Sequence, residues 1–346
     1  MPELRQDPVT LRWVTIATER ARRPTSFTRS NWRSVVSSAR CPFCEGNEGM
    51  TPPETMAFRA SGTAPNTPGW TFRVVPNLYA AFGPADAEPI VQRVGPYLSM
   101  SGVGAHEVLI DSPDHLRDIA DHDVPKVAEV VRGFVDRYRA AAASPCVRYV
   151  LLIVNHGREA GASLEHPHAQ LFAIPLVPDA VQREIEGVAR RIGEAGSCPF
   201  CEMVAYETSA GERVIYENDG FLVFAPYASR VPFETWIVPK PHQPRFEASS
   251  SAEQLAFADA LRELASRLKR RLNDPPYNLY LHTAPTQWTG GAYHWHAEVL
   301  PKLSIAAGFE LGSDLYIDVV TPEAAAEYLQ GEVAPLGEGS MSAAHC

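Results

Sequence analysis

The sequence predicts an α+β fold of two similar halves, each an antiparallel sheet with helices packed on one face. Three observations predict it. Two identical CPFC tetrapeptides, at Cys41 to Cys44 and Cys198 to Cys201, are each followed by "EVLIDSPDH" or "ETWIVPKPH" and then by "EHPHAQ" or "YHWHAE". The spacing survives with the order, since Glu107 to Glu234 is a step of 127 residues and His166 to His294 a step of 128. Between these markers, β-rich runs and one long helical pattern recur in each half.

In the first half, "FRVVPNLYAAF" reads as a strand leading into a turn, and "EVLI" as a strand that leaves His115 in the following loop. A helix is expected over 124–143. Val127, Val130, Val131, Phe134, Val135 and Tyr138 fall at helical spacing, with Asp123 as N-cap and Pro125 in the first turn. "RYVLLIVN" is the strand before the first His-x-His segment. A connecting helix, 179–192, leads to the second half, where "GFLVFAPYA", "ETWIV" and "YNLYLHT" repeat the strands and 252–272 repeats the long helix through Leu255, Phe257, Leu261, Leu264 and Leu268.

This divides the chain into an N-terminal half, 1–177, a C-terminal half, 178–330, and a tail, 331–346, expected to be disordered from its composition. The stretch 45–69, dense in Gly, Pro and Thr, reads as an irregular loop placed to cover a site.

With 346 residues, 45% of them hydrophobic, there is ample material for packed cores. A formal net charge of -10 without a basic stripe argues against nucleic-acid binding. No run of eighteen apolar residues and no signal-peptide core appear, so the expectation is a cytoplasmic protein with no membrane partner.

In a reducing compartment, Cys-x-x-Cys favours a metal over a disulfide. Two thiolates so spaced hold one tetrahedral zinc and leave two positions for ligands elsewhere in the chain. The duplication nominates those ligands. For Cys41 and Cys44 they are His115 and one histidine of the pair His166 and His168, and by the same logic Cys198 and Cys201 take His242 and His294. Four protein ligands leave no open position, so both zinc sites are expected to be structural. The competing reading, two tight turns with inert thiols, leaves the matching histidines unexplained. Cys146 and Cys346 receive no role.

If His166 serves the metal, His168 remains on the same face, free to react. A neutral imidazole attacks phosphorus and yields a phosphoramidate reactive enough to be passed on. Gln170, two residues further along the same strand, can donate an amide N–H to a phosphoryl oxygen. His296 repeats His168 in the second half but is read as structural or substrate-adjacent, and His106, His122, His156 and His282 as surface or packing residues.

At HPHAQ the sequence resembles the galactose-1-phosphate uridylyltransferase family, the transferase branch of the histidine triad superfamily. The resemblance runs from "RQDPVTLRWVTIATERARRP" to "GFELGSDLYI". It implies a nucleotidylated His168 and a Gln170 that stabilises the transferred phosphoryl group. It also implies a phosphate path along Asn155, Gly157 and Ser163, phosphate contacts from Arg20 and Arg23, a nucleoside contact from Asn77, and Phe309 and Glu310 near the hexose hydroxyls. It implies zinc ligands at Cys41, Cys44, His115 and His166 in the first half, and a homodimer as the assembly.

The second half departs from the pattern. Well-known members hold a different metal there through Glu and several His, whereas this chain carries a second CPFC, as the related ADP-glucose phosphorylase branch does. The function expected is therefore UDP-glucose–hexose-1-phosphate uridylyltransferase by ping-pong transfer. The alternative is ADP-glucose phosphorylase, with inorganic phosphate in place of a sugar 1-phosphate. A non-enzymatic zinc-ribbon-like binding module is the third reading, opposed by the acidic charge and by HPHAQ.

Overall fold

A computed structural model describes residues 2–20, 40–84 and 88–331. Ten strands form one continuous antiparallel sheet, to which a short two-residue strand is added in parallel. From the first half come β3 (Met56–Arg59), β4 (Trp70–Pro76), β5 (Gly83–Pro84), β8 (Val103–Ile110), β9 (Tyr149–His156) and β10 (His168–Ile174). From the second come β11 (Val214–Glu217), β12 (Phe221–Phe224), β13 (Thr235–Pro239), β14 (Tyr277–His282) and β15 (His296–Pro301). The spatial order is 11-12-13-15-14-9-10-8-4-3, with β5 against β8, so the halves join where β9 meets β14.

The matching order on each side of the β9–β14 seam reflects the repeat in the sequence. Asn155 and Asn278 stand opposite one another at the seam, and Asn278 Nδ2 donates to Asn155 Oδ1 at 2.8 Å.

Alternation along each strand decides which face meets which layer. Val150, Leu152, Val154, Ala169, Leu171, Leu279, Leu281, Ala297 and Val299 are buried in the main core. Opposite them lie α1 (Val124–Ala142) and α4 (Ser251–Arg271), which pack against each other, and α6 (Pro322–Gln330). Asp123 caps α1 through Lys126 N–H, and Ser250 with Glu253 forms a capping box on α4.

Two further helices, α2 (Asp179–Ala195) and α3 (Pro199–Ala210), cover the other face. Val181 and Ile185 of α2 cluster with Tyr149, Ile174, Leu151 and Phe172, while Phe200 and Val204 of α3 cluster with Leu222, Phe224 and Trp236. α3 went unread in the sequence because its residues mix apolar and polar around the whole helix; the second CPFC is its N-terminus rather than a free turn.

Three further strands, β1 (Glu3–Gln6), β2 (Trp13–Ile16) and β16 (Tyr316–Asp318), form a three-stranded sheet joining the two ends of the described chain. A separate exposed hairpin is made by β6 (Val91–Val94) and β7 (Tyr97–Met100), and a six-residue helix, α5 (Gly308–Ser313), precedes β16. The stretch 45–69 is less irregular than its composition suggests. It contains β3 and is tied down where Glu48 accepts from Trp70 Nε1 at 2.8 Å and Glu54 from Arg73 Nε at 3.1 Å. The 331–346 tail falls outside the described residues from 332 onward.

Candidate active site and two metal-ligand clusters

β10 begins at His168, so His166 lies in the turn before it rather than on the strand. Alternation along the strand therefore puts His168 and Gln170 on one face, while His166 is placed by the turn. Their partners on the core side, Ala169 and Leu171, are fully buried beneath α1, and this pins the register that aims His168 and Gln170 at the opposite face.

His168 is buried, and its Nδ1 lies 2.8 Å from the carbonyl oxygen of His166. A carbonyl only accepts, so Nδ1 carries the hydrogen and Nε2 presents its lone pair. Burial pushes this imidazole below its usual pKa, with the carbonyl bond pulling the other way. The ring is thus neutral and oriented, as a nucleophile must be. The edge of Phe43 stands against it, 5.1 Å between centroids.

A cavity of about 280 Å³ opens beside His168 and Gln170, bordered by Phe43, Met50, Thr51, Asn77 and Ser163 among others. The 45–69 stretch therefore does border the site. A second space, about 30 Å³, adjoins His168 and is bordered by Asn155 and Gly157. Gly157 has φ +87°, and a Cβ there would come within 2.8 Å of Pro276, so glycine is required at this bend.

Two expected contacts, Phe309 and Glu310, line neither cavity, and two more, Arg20 and Arg23, lie outside the described side chains. Phe309 and Glu310 lie on α5 and border neither cavity; Phe309 is exposed and Glu310 accepts from Ala307 N–H of its own helix at 2.8 Å. Arg20 ends a short 3₁₀ turn, Thr18–Arg20, with its side chain outside the described residues, and Arg23 lies wholly outside them.

The two Cys/His clusters are assembled as the duplication required. In the first, Cys44 Sγ is 3.2 Å from His115 Nδ1 and 3.5 Å from His166 Nδ1, and Cys41 Sγ is 3.8 Å from His166 Nδ1. In the second, Cys201 Sγ is 3.3 Å from His242 Nδ1 and 3.6 Å from His294 Nδ1. Tetrahedral zinc with ordinary bond lengths places S and N about 3.5 Å apart, so the donor spacing fits.

The outer partners fit too. His166 Nε2 donates to Ser112 O at 2.8 Å, His294 Nε2 to Pro239 O at 2.9 Å and His242 Nε2 to Gly291 O at 2.6 Å, which turns each Nδ1 lone pair toward the cysteines. Burial and the neighbouring cysteine push the thiols of Cys44 and Cys201 up to about 12. Only a bound cation would make these paired thiolates stable together.

A third cluster was not read from the sequence. Ligand atoms of Glu184, His282, His296 and Glu298 lie within 4.8 Å of one another, all four residues buried. The second CPFC thus does not replace a Glu/His set in this half; it stands beside one, because His294 and His296 diverge. The set is satisfied without an ion. His282 Nδ1 meets Glu184 Oε1 at 2.8 Å, Tyr293 OH donates to Glu184 Oε2 at 2.5 Å, Tyr280 OH donates to Glu298 Oε2 at 2.7 Å, and Arg230 forms a close ion pair with Glu298. Arg230 brings a positive charge to the edge of this cluster.

His296 copies the first half of His168's arrangement, with Nδ1 3.1 Å from His294 O. Its Nε2, however, lies 3.3 Å from Glu298 Oε1. Among the described residues, the Nε2 that has no hydrogen-bond partner on His168 is engaged by Glu298 on His296. His106, read as a packing residue, instead contacts Gln170: its Nε2 is 2.9 Å from Gln170 Oε1. Strand alternation could have shown this, since His106 pairs with Phe172 across β8 and β10 and so shares the face of Gln170.

Two halves of one repeat, a neutral histidine with a free Nε2 beside an amide donor, and a cavity over both define an enzyme of nucleotidyl transfer. The comparisons agree. The chain matches "Galactose-1-phosphate uridyl transferase, N-terminal domain" over residues 1–178 and the C-terminal domain of the same name over 184–345. The chain belongs to the galactose-1-phosphate uridylyltransferase family.

Among its relatives, ADP-glucose phosphorylase of Arabidopsis thaliana is 34% identical over 95% of this chain and 92% of its own length. Galactose-1-phosphate uridylyltransferase of Thermotoga maritima is 29% identical over 95% and 98%. A crystal structure of the Arabidopsis phosphorylase with bound ADP-glucose superposes with a TM-score of 0.79 at 32% identity, covering 95% of this chain and 98% of that one. A uridylyltransferase structure gives 0.73 at 27% identity, covering 95% and 98%.

Proposed function

We propose that this protein is a UDP-glucose–hexose-1-phosphate uridylyltransferase that works through a nucleotidyl-histidine on His168. The observation that carries the chemistry is the hydrogen bond from His168 Nδ1 to the His166 carbonyl, which leaves Nε2 unprotonated in the cavity. In the first half-reaction Nε2 attacks the α-phosphorus of the nucleotide sugar; the N–P bond forms, the P–O bond to the leaving group breaks, and sugar 1-phosphate departs. In the second, a phosphate oxygen of hexose 1-phosphate attacks the same phosphorus and the N–P bond breaks. No proton moves in either direction, because Nδ1–H stays on the carbonyl throughout.

Gln170 donates its amide N–H to a phosphoryl oxygen as charge develops there. Ser163 and Asn77 border the same cavity, and Asn155 and Gly157 lie behind the histidine, which suits them to the phosphate path and nucleoside. Arg20 and Arg23 are proposed as phosphate contacts by family resemblance. Each Cys/His cluster holds a structural zinc: Cys41, Cys44, His115 and His166 in one, Cys198, Cys201, His242 and His294 in the other.

The active form is proposed to be a homodimer, in which Phe309 and Glu310, which line neither cavity beside His168 of their own chain, reach the hexose of the partner. The halves 1–177 and 178–330 are proposed as its two structural units.

A second reading rests on a specific observation. The 34% identity to ADP-glucose phosphorylase over nearly the full length, together with two Cys/His clusters, favours ADP-glucose as donor and inorganic phosphate as acceptor. The step at His168 is the same with an adenylyl group. Turnover assays with UDP-glucose plus galactose 1-phosphate against ADP-glucose plus phosphate separate them; faster turnover of the second pair would displace the uridylyl reading.

A further inference from the structure

We propose that His106 is a positioning residue that fixes which end of the Gln170 amide faces the transferred phosphoryl group; this rests on the nucleotidyl-transfer reading of the site. A glutamine amide is nearly symmetric in shape but not in chemistry. With its NH2 toward the phosphoryl oxygens it stabilises the transition state, and turned over it presents a carbonyl oxygen to developing negative charge. Something must decide between the two.

The structure assigns that decision to a chain of three groups. The backbone N–H of Ala81 lies 3.3 Å from His106 Nδ1. A backbone N–H only donates, so Nδ1 accepts and the hydrogen of the neutral ring sits on Nε2. Nε2–H then points at Gln170 Oε1, 2.9 Å away. With its oxygen held by His106, Gln170 turns its NH2 toward the cavity that it shares with His168.

The ring itself is held in place. His106 is buried and stacks on Phe172, 4.0 Å between centroids at 23°. Asn77 Nδ2, 3.1 Å from Nε2, is itself a donor and makes no hydrogen bond to Nε2–H, so it competes with the Nε2–H form and leaves Ala81 N–H and Gln170 Oε1 as the groups that favour it. Asn77 is in turn fixed by accepting from Tyr79 N–H at 2.9 Å. Burial lowers the His106 pKa, which keeps the ring in the neutral, single-donor form that the argument needs.

Two substitutions separate hydrogen bonding from packing. His106→Phe keeps the stack on Phe172 and removes the donor, whereas His106→Gln keeps a donor at similar reach and removes the stack. The readout is the single-turnover rate of His168 nucleotidylation, measured with whichever of UDP-glucose and ADP-glucose reacts. Loss of one aligned donor predicts that Gln170→Ala slows the step by about 100-fold, His106→Phe by about 10-fold, and His106→Gln by no more than about 3-fold, with nucleotide-sugar affinity changed less than rate.

The His106→Phe/Gln170→Ala double variant is expected to be no slower than Gln170→Ala alone, because His106 acts only through Gln170. Multiplying effects, or a His106→Gln protein slower than His106→Phe, would overturn the proposal. Nitrogen-15 NMR of the wild-type ring gives an answer independent of turnover: an Nε2–H tautomer is expected, and Nδ1–H refutes the positioning even if the adduct forms normally. A wild-type protein that forms no adduct with either donor refutes the functional reading itself, and the role of His106 falls with it.

Discussion

The neutral, oriented form of His168 comes from its surroundings more than from its own chemistry. The same residue type in the second half, His296, has its Nε2 engaged by Glu298, so one neighbouring carboxylate distinguishes the two rings. Burial lowers the His168 pKa, so the folded ring stays neutral below the ordinary histidine value of about 6.5. The nucleotidylation rate should therefore hold level as pH falls through 6.5 and decline only further down. A pH–rate profile centred at or above 6.5 would contradict this. The stability consequence has the opposite sign: below 6.5 the unfolded ring binds a proton that the folded ring refuses, so this histidine makes the fold less stable as pH falls from 6.5 toward the folded pKa.

Among the elements, the turn from His166 to β10 couples the first metal-ligand cluster to the chemistry. The His166 ring faces the cysteines while its carbonyl holds His168. Loss of that metal should reach the nucleophile, and loss of the second should not. Elemental analysis is expected to find two zinc ions per chain, falling to one in either Cys41→Ser or Cys198→Ser. Cys41→Ser should slow nucleotidylation by 10-fold or more, about the size of other losses of ligand support, while Cys198→Ser stays within a few-fold of wild type. Equal effects in both would refute this coupling.

The clusters were legible in sequence because a repeat carries its ligands with it, and α1 and α4 because their apolar residues keep helical spacing. The Glu184 cluster was not legible. It combines one residue of α2 with three from β14 and β15, and no local pattern ties an acid on the linking helix to histidines about a hundred residues away. His106 was missed for a different reason: its alternation was visible, but its partner strand was not identified.

On the scale of the molecule, duplication explains one sheet with two chemically different faces. The main core lies under α1, α4 and α6. On the other face the row Val108, Gln170, Ile153, Tyr280, Glu298, Trp236 runs across the seam, pairing Gln170 with its counterpart Glu298. The exposed hairpin β6–β7, with Val94, Tyr97 and Leu98 each more than 60% exposed, and the exposed α5 are the surfaces on which the proposed dimer would form. Val94→Lys with Leu98→Lys is expected to yield monomers by light scattering, and an unchanged dimer would move the interface elsewhere. Among the described residues, no helix is long and apolar enough to cross a membrane.

The central claim, that His168 carries the nucleotide, is tested most directly by the intact mass of the whole protein after incubation with UDP-glucose or ADP-glucose and no acceptor. The account predicts an increment of one nucleotidyl group in the wild type, absent from His168→Asn and discharged on adding the acceptor. No increment with either donor, or an increment that persists in His168→Asn, would contradict it.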